Sequence, residues 1–375
     1  MKINEILALK KEGQKCIVVV TSGGDAPGMN AAVRAATRKA NAHGYMVLGS
    51  IGGYKGLVED DFVILDDRTV SNIIYKSGTV LLTDRYKKIE QVEYQKVAVD
   101  NCKRLNAEAV VCIGGDGTFR GAVDLTNLGL LTICIPGTID NDMTVTDYTI
   151  GFDTAMNSVL ACADRLRDTC ESHARCNVIE VMGRDCGEIA LETAIALGAA
   201  GCAIPEQPFD EEGLIAKMKA MQADGKRSLL VVISEGMPKE KVTISSVEFE
   251  VPYAEVLTKK LIENGFDAKF CRLAHIVRGG SPTLRDRTTA TKMGAMAVDL
   301  IEEGKKTRVI IEKDGTIKDM DVQFALATDK IRKNKIKEGD LDRFSTEEIA
   351  EMNAYVEAYK NSIKERYDLF NELAR

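Results

Sequence analysis

Three short glycine-rich segments carry the side chains whose chemistry stands out in this chain: T-S-G-G-D-A-P-G-M-N at 21–30, I-G-G-D-G-T at 113–118 and I-P-G-T-I-D-N-D at 135–142. Each follows a β-favouring apolar run, such as CIVVV from Cys16 or LTICIP from Leu131. Glycine lets the backbone approach an oxyanion closely, and the free N–H groups of a following helix favour negative charge. Phosphate binding is the chemistry this arrangement offers. Asp116, set among three glycines, is a carboxylate able to hold Mg²⁺, a hard cation that keeps several waters and bridges phosphates. Asp140 and Asp142 share one short loop with Thr138, and two carboxylates so close are costly unless a metal or a proton separates their charges. One can orient a hydroxyl while the other supports the metal. Taken singly, each segment is also compatible with a ligand-free turn, an Asx turn or a solvated acidic loop. Neither the P-loop G-x-x-x-x-G-K-[ST] nor a G-x-G-x-x-G fingerprint occurs.

Such turns need elements to hold them. Strands are expected over Cys16–Thr21, Tyr45–Ile51, Glu108–Ile113 and Leu131–Ile135, and helices over Met29–Ala42, Val92–Leu105 and Thr118–Leu128. This alternation predicts an α/β fold, with a parallel sheet covered on both faces and ligands at the carboxyl ends of its strands. The three turns then share one edge of one sheet. A second α/β series is expected after a junction near Gly151, with helices over Thr154–Cys170, Gly187–Leu197 and Arg285–Glu303 and strands over Asn177–Met182, Leu229–Ser234 and Cys271–Val277. Residues 329–340 (DKIRKNKIKEGD) read as a charged, solvated linker. Ser345 and Glu348 then form an S-x-x-E capping box. Ile349, Met352, Val356, Tyr359, Ile363, Tyr367, Phe370 and Leu373 follow at spacings of three or four, one apolar stripe on a long helix that packs against the body or a sister subunit.

Composition narrows the function classes. A length of 375 residues allows about two domains with sizeable cores. No run of about 20 apolar residues occurs, which excludes a membrane span, and the start MKINEILALKKEGQK lacks the continuous apolar core of a signal peptide, so a cytoplasmic protein is expected. Ten cysteines include no C-x-x-C pair and only three histidines accompany them, which argues against a zinc cluster; most of these thiols sit in apolar runs as small hydrophobes. A net charge of −7 argues against nonspecific nucleic-acid binding.

The segments TSGGDAPGMN, IGGDGT, PGTIDND, VMGR (181–184) and HIVRGGSP (275–282) stand in the order and spacing of 6-phosphofructokinase, and from about residue 16 to 325 the chain resembles that family. The resemblance implies two doubly wound α/β domains with mostly parallel sheets and the active site in the cleft between them, plus a C-terminal helical extension. Residues 13–150 and 275–326 would form the ATP/Mg-binding domain, 151–274 the fructose 6-phosphate domain, and 327–375 the charged linker and amphipathic helix. Gly24, Arg85, Tyr86, Gly115, Asp116, Gly117 and Thr118 would contact ATP or its magnesium, with Asp116 the metal-side carboxylate. Asp140 would take the proton from the sugar's 1-hydroxyl, with Asp142, Arg184, Thr138 and Arg85 beside the reaction. Thr138, Ile139, Met182, Gly183, Arg184, Glu235, His275 and Arg278 would bind fructose 6-phosphate. Arg175 and Lys269 would reach it from a neighbouring subunit, which implies a homo-oligomer, typically a tetramer in this family.

The residues suit those roles on chemical grounds. Phosphoryl transfer passes through a loose transition state, so positioning and charge neutralisation dominate. An ordinary Asp is a weak base but suffices when the attacking hydroxyl turns acidic late. Arg85 and Arg184 match the equatorial oxygens with planar, paired donors. Glu235 can accept from sugar hydroxyls, and His275 and Arg278, three apart, place two donors together for the distal phosphate.

Pyrophosphate-using members of the family typically carry Asp where Gly117 stands and Lys where Gly137 stands, so ATP is the expected donor. A pyrophosphate-dependent enzyme and a weakly active nucleotide- or sugar-phosphate-binding regulatory paralogue are the alternatives. Three departures from the family pattern motivate the latter: Leu82 for a customary glycine, Lys269 for an arginine and Val277 for a glutamine. The family's effector site for ADP or phosphoenolpyruvate is partly retained in Arg34, Arg38, Arg167, Lys226 and Arg227, whereas Ala200 and Asp224 replace an acidic and a lysine position.

Overall fold

A computed structural model describes residues 1–244 and 247–374. It divides into two compact units: residues 1–139, 143–154 and 278–356 form the first, and residues 140–142, 155–277 and 357–375 the second. The chain begins in the first unit with α1 (Ile3–Leu9), β1 (Cys16–Thr21), α2 (Met29–Ala42), β2 (Met46–Ser50), α3 (Tyr54–Glu59), β3 (Phe62–Leu65), α4 (Val92–Arg104), β4 (Ala107–Gly114), α5 (Asp116–Asn127) and β5 (Thr132–Pro136). It continues through α6 (Phe152–His173), β6 (Cys176–Val181), α7 (Glu188–Leu197), β7 (Gly201–Ala203), α8 (Glu211–Ala223), β8 (Leu229–Ser234), β9 (Glu240–Ile244), β10 (Val247–Val251), α9 (Tyr253–Glu263) and β11 (Ala268–Arg272). It closes with α10 (Leu284–Glu302), β12 (Arg308–Lys313), β13 (Thr316–Asp321), α11 (Val322–Arg332) and α12 (Thr346–Leu373).

The first unit is built on a seven-stranded sheet in the order β13-β12-β5-β4-β1-β2-β3. Its central strands β5, β4, β1 and β2 run parallel, and every residue of β1 is buried. That is why CIVVV reads as a continuous apolar run rather than an alternating one: both faces of a parallel strand are covered. Each fully buried valine there contributes roughly 1.5–3 kcal/mol over its exposed state. On one face α10 packs on α2 so closely that a Cβ at Gly294 would stand 2.4 Å from the Ala32 carbonyl oxygen. The antiparallel edge hairpin β12–β13, absent from the expected elements, turns at Asp314–Gly315, both at positive φ, as an Asp-Gly pair between two strands favours.

The second unit holds a four-stranded parallel sheet, β11-β6-β8-β7. Val178 and the run Val231, Val232 and Ile233 are fully buried within it.

Two expectations change. A strand over Cys271–Val277 becomes β11, which ends at Arg272, followed by a 3₁₀ turn over Ala274–Arg278. Ala274 takes φ +44°, a left-handed conformation that no strand can contain. The charged stretch at 329–340 is not wholly a linker, because α11 runs through Arg332 and Asp329 is buried. Its carboxylate accepts from the Thr144 amide (2.7 Å) and hydroxyl (2.6 Å).

The capping box at the start of α12 is present. The Ser345 amide donates to Glu348 Oε2 at 2.8 Å, and the Glu348 amide donates to Ser345 Oγ at 3.1 Å. Met352 of the predicted stripe joins the first unit's core, and Ile363, Tyr367 and Phe370 are buried, while Leu373 is exposed. Eight of the ten cysteines are buried. No helix among the described residues is long and apolar enough to cross a membrane.

Candidate active site

In the first unit the three glycine turns follow β1, β4 and β5, which are neighbours in the sheet and parallel. They therefore lie along one carboxyl edge, where ligands of such sheets bind. Backbone bonds lock them together: the Ser22 amide donates to the Ile113 carbonyl (3.0 Å) and the Gly137 amide to the Gly114 carbonyl (2.9 Å). Thr118 Oγ1 donates to the Ser22 carbonyl at 3.0 Å. Gly114 has no alternative residue here, since a Cβ would meet Thr118 Oγ1 at 2.3 Å and the Ser22 oxygen at 2.4 Å. Gly117 is the opposite case, with no atom within 4 Å of where its Cβ would stand. Open space beside a helix start is the room a phosphate needs.

Asp116 opens α5, and Arg120 Nη2, one turn on, pairs with its Oδ2 at 3.1 Å. Gly24, Arg85 and Tyr86 belong to the same unit. The 83–84 segment is tied to the first turn by Thr83 Oγ1 donating to the Gly23 carbonyl (2.8 Å). Just before it, Leu82 holds φ +59° with an exposed side chain, a conformation glycine adopts more readily. Thr138 and Ile139 are buried in this unit.

In the second unit a cavity of about 640 Å³ is lined by Met182, Arg184, Glu235 and His275, four of the residues expected on the sugar-phosphate side. The loop after β6 carries two of them. Arg184 sits at φ +53°, and Glu235 Oε1 accepts from the amides of Gly183 (3.2 Å) and Arg184 (3.0 Å). Glu235 therefore shapes the arginine loop as well as facing the cavity. Arg184 Nε reaches Asp140 Oδ2 at 3.3 Å. Asn141, between Asp140 and Asp142, also takes a left-handed conformation at φ +49°. Non-glycine residues held there cluster at working sites.

Other expected residues fall elsewhere. Arg278 is buried in the first unit, where its Nη1 donates to the Asp25 carbonyl at 3.1 Å, while His275 lines the second unit's cavity. Arg175 and Lys269 do not line that cavity. Both pair with Asp267, Lys269 at 2.7 Å and Arg175 at 2.6 Å, and their hydrogen bonds hold its carboxyl below the usual range. Of the basic residues matching the effector site, Arg34 and Arg38 belong to the first unit and Arg167, Lys226 and Arg227 to the second. Arg38 and Arg227 donate to backbone carbonyls, of Asp67 and of Glu171 and Ser172.

The sequence reading missed Glu180 and Lys239 in the cavity wall; Arg272, which it offers only as a substitute for Lys269 should the strand register differ, lines the cavity as well. Arg272 Nε donates to the buried Glu180 at 2.6 Å. The strand register sets Arg272 opposite Glu180, a pairing between residues 92 apart that no local pattern reveals.

Known proteins agree with these motifs. Residues 16–301 match the family model described as phosphofructokinase. The chain is 44% identical over 312 residues to the ATP-dependent 6-phosphofructokinase 1 of Clostridium perfringens, covering 83% of this chain and 94% of that one. It is equally similar, 44% over 311 residues, to the ATP-dependent 6-phosphofructokinase of Brevibacillus brevis, covering 83% and 93%. Its structure superposes on phosphofructokinase from Saccharomyces cerevisiae with a TM-score of 0.79 at 30% identity, covering 92% of this chain and half (50%) of the yeast one.

Proposed function

The chain belongs to the phosphofructokinase family, and we propose that it transfers the γ-phosphate of ATP to the 1-hydroxyl of fructose 6-phosphate, giving ADP and fructose 1,6-bisphosphate. The observation that carries this reading is the Arg184–Asp140 contact, 3.3 Å, made by an arginine that also lines a cavity with Met182, Glu235 and His275. A carboxylate thus stands next to a cation that itself lines a cavity with charged side chains on its wall. Asp140 accepts the proton of the 1-hydroxyl as its oxygen bonds to phosphorus. Arg184 offsets the charge that gathers on the equatorial oxygens. Its guanidinium, 3.3 Å from the carboxylate, fixes where Asp140 stands for the incoming hydroxyl.

On the nucleotide side, the open space at Gly117 and the helix start at Asp116 accommodate the phosphates. No cluster of three acidic, His or Cys side chains fit to hold a metal unaided occurs among the described residues. Asp116, its side chain 29% exposed, fits a Mg²⁺ that comes in with the phosphates and uses one protein carboxylate. The ion would supply charge neutralisation for the phosphoryl group.

A homo-oligomer, with Arg175 and Lys269 serving a neighbour's sugar phosphate, belongs to the same reading. The two cations share Asp267 and so are presented side by side. An ADP or phosphoenolpyruvate effector at Arg34, Arg38, Arg167, Lys226 and Arg227 is a further part of it.

One assay of purified protein tests the whole. Aldolase-coupled turnover of fructose 6-phosphate is expected with ATP and Mg²⁺, and little with pyrophosphate. Equal or better turnover with pyrophosphate overturns the donor, and none with either overturns the reaction.

A further inference from the structure

The C-terminal helix lies beyond the family-matched residues 16–301, yet one of its side chains enters the loop that carries Arg184. Tyr359 Oη and Cys186 Sγ share a hydrogen bond at 3.3 Å, and Tyr359 Oη donates to Glu206 Oε1 at 3.4 Å. Both partners are keystones of the loop. The Cys186 amide closes its turn onto the Gly183 carbonyl at 2.9 Å. The Cys186 carbonyl leaves no room for a Cβ on Gly183, which would stand 2.4 Å away. Glu206 takes the Gly187 amide on both oxygens, at 2.8 and 3.1 Å. The Cys186 thiol also reaches the Asn141 carbonyl, 3.8 Å away, between the two loop carboxylates. One hydroxyl therefore touches both fastenings of a left-handed loop whose arginine pairs with Asp140.

We propose that Tyr359 is a positioning residue for phosphoryl transfer: its hydroxyl, acting through Cys186 and Glu206, holds the 183–187 loop so that Arg184 stays against Asp140. The helix meets the same unit at other points, and the Arg366 ion pairs are what fix the tyrosine's placement. Arg366 bonds Glu188 at 2.7 and 2.9 Å and Glu192 at 2.5 Å, and Tyr367 Oη donates to the Cys202 carbonyl at 3.2 Å. The proposal rests on the phosphofructokinase reading for its kinetic consequence alone.

Tyr367 supplies the control, because Tyr367→Phe removes a comparable hydroxyl from the same helix away from the loop. Tyr359→Phe is expected to lower kcat for fructose 6-phosphate by about 3–10-fold, the worth of one neutral hydrogen bond, and to leave KM for ATP unchanged. Tyr367→Phe should match the parent in both. Cys186→Ala should resemble Tyr359→Phe, and the double variant should be no worse than the worse single one. The amide of Gly187 should exchange with solvent deuterium faster in Tyr359→Phe than in Tyr367→Phe, a readout independent of turnover. Equal kinetics and equal Gly187 exchange in the two tyrosine variants overturn the proposal, as do additive effects in the double variant. If the parent itself fails to phosphorylate fructose 6-phosphate, the functional reading falls while Gly187 exchange still decides the positioning.

Discussion

Arg184 Nε stands 3.3 Å from Asp140 Oδ2, a half-exposed guanidinium against a carboxylate side chain only 1% exposed. Replacing Asp140 by Asn keeps the shape and removes the proposed proton acceptor. Turnover of Asp140→Asn should fall by about 10²–10⁴-fold, with KM for ATP within about twofold of the parent. Steady-state kinetics at saturating ATP decide it, and a loss under tenfold would assign the proton to another group.

At Gly117, Asp can be introduced without steric damage, because nothing lies within 4 Å of the new Cβ. Its charge would occupy the space beside the helix start where the nucleotide phosphates are proposed to sit, and like charges there repel. Gly117→Asp should keep the parent's unfolding midpoint while raising KM for ATP at least tenfold. Unchanged ATP kinetics would remove Gly117 from the donor site.

Leu82 occupies φ +59° with its side chain in solvent. An L-residue in that conformation costs roughly 1–2 kcal/mol, and glycine adopts it freely but gives back roughly 0.5–1 kcal/mol of unfolded-chain entropy. Leu82→Gly should therefore gain up to about 1 kcal/mol, and Leu82→Val should lose about 1 kcal/mol or more, read from urea midpoints. A glycine variant clearly less stable than the parent would refute the strain.

Asp329 is buried, and burial pushes its carboxyl up to about 6, against the opposing pull of Lys333 and the Thr144 hydrogen bonds. A carboxyl whose folded pKa exceeds its unfolded value of about 3.9 binds its proton more tightly when folded, so its contribution is greatest below pH ~4 and is lost as pH rises to ~6. Two pKa units correspond to about 3 kcal/mol. Asp329→Asn keeps an acceptor for the Thr144 amide and does not ionise. Its stability relative to the parent should climb between pH 4 and 6 and then level off, followed by denaturant unfolding at a series of pH values. A difference that does not vary with pH would show that the carboxyl titrates normally.

Much of this protein is written locally. Buried parallel strands must be apolar on both faces, so CIVVV and LTICIP announce themselves, and the glycine-rich turns after them mark the carboxyl edge of the sheet. The capping box at Ser345 and the apolar stripe behind it likewise depend on residues only a few positions apart. What the chain does next depends on partners far away in sequence. The end of β11 was misjudged because LAHIV looks extended, whereas a left-handed Ala274 turns the backbone aside. Asp329 looked solvated within a charged run until Thr144, 185 residues distant, claimed it. Arg272 met Glu180 only through strand register, and Tyr359 met Cys186 only once α12 had docked. Periodicity and propensity act over a turn or a strand, so they specify elements and motifs. Burial of charge and the bonds that aim Arg184 at Asp140 arise only when those elements pack.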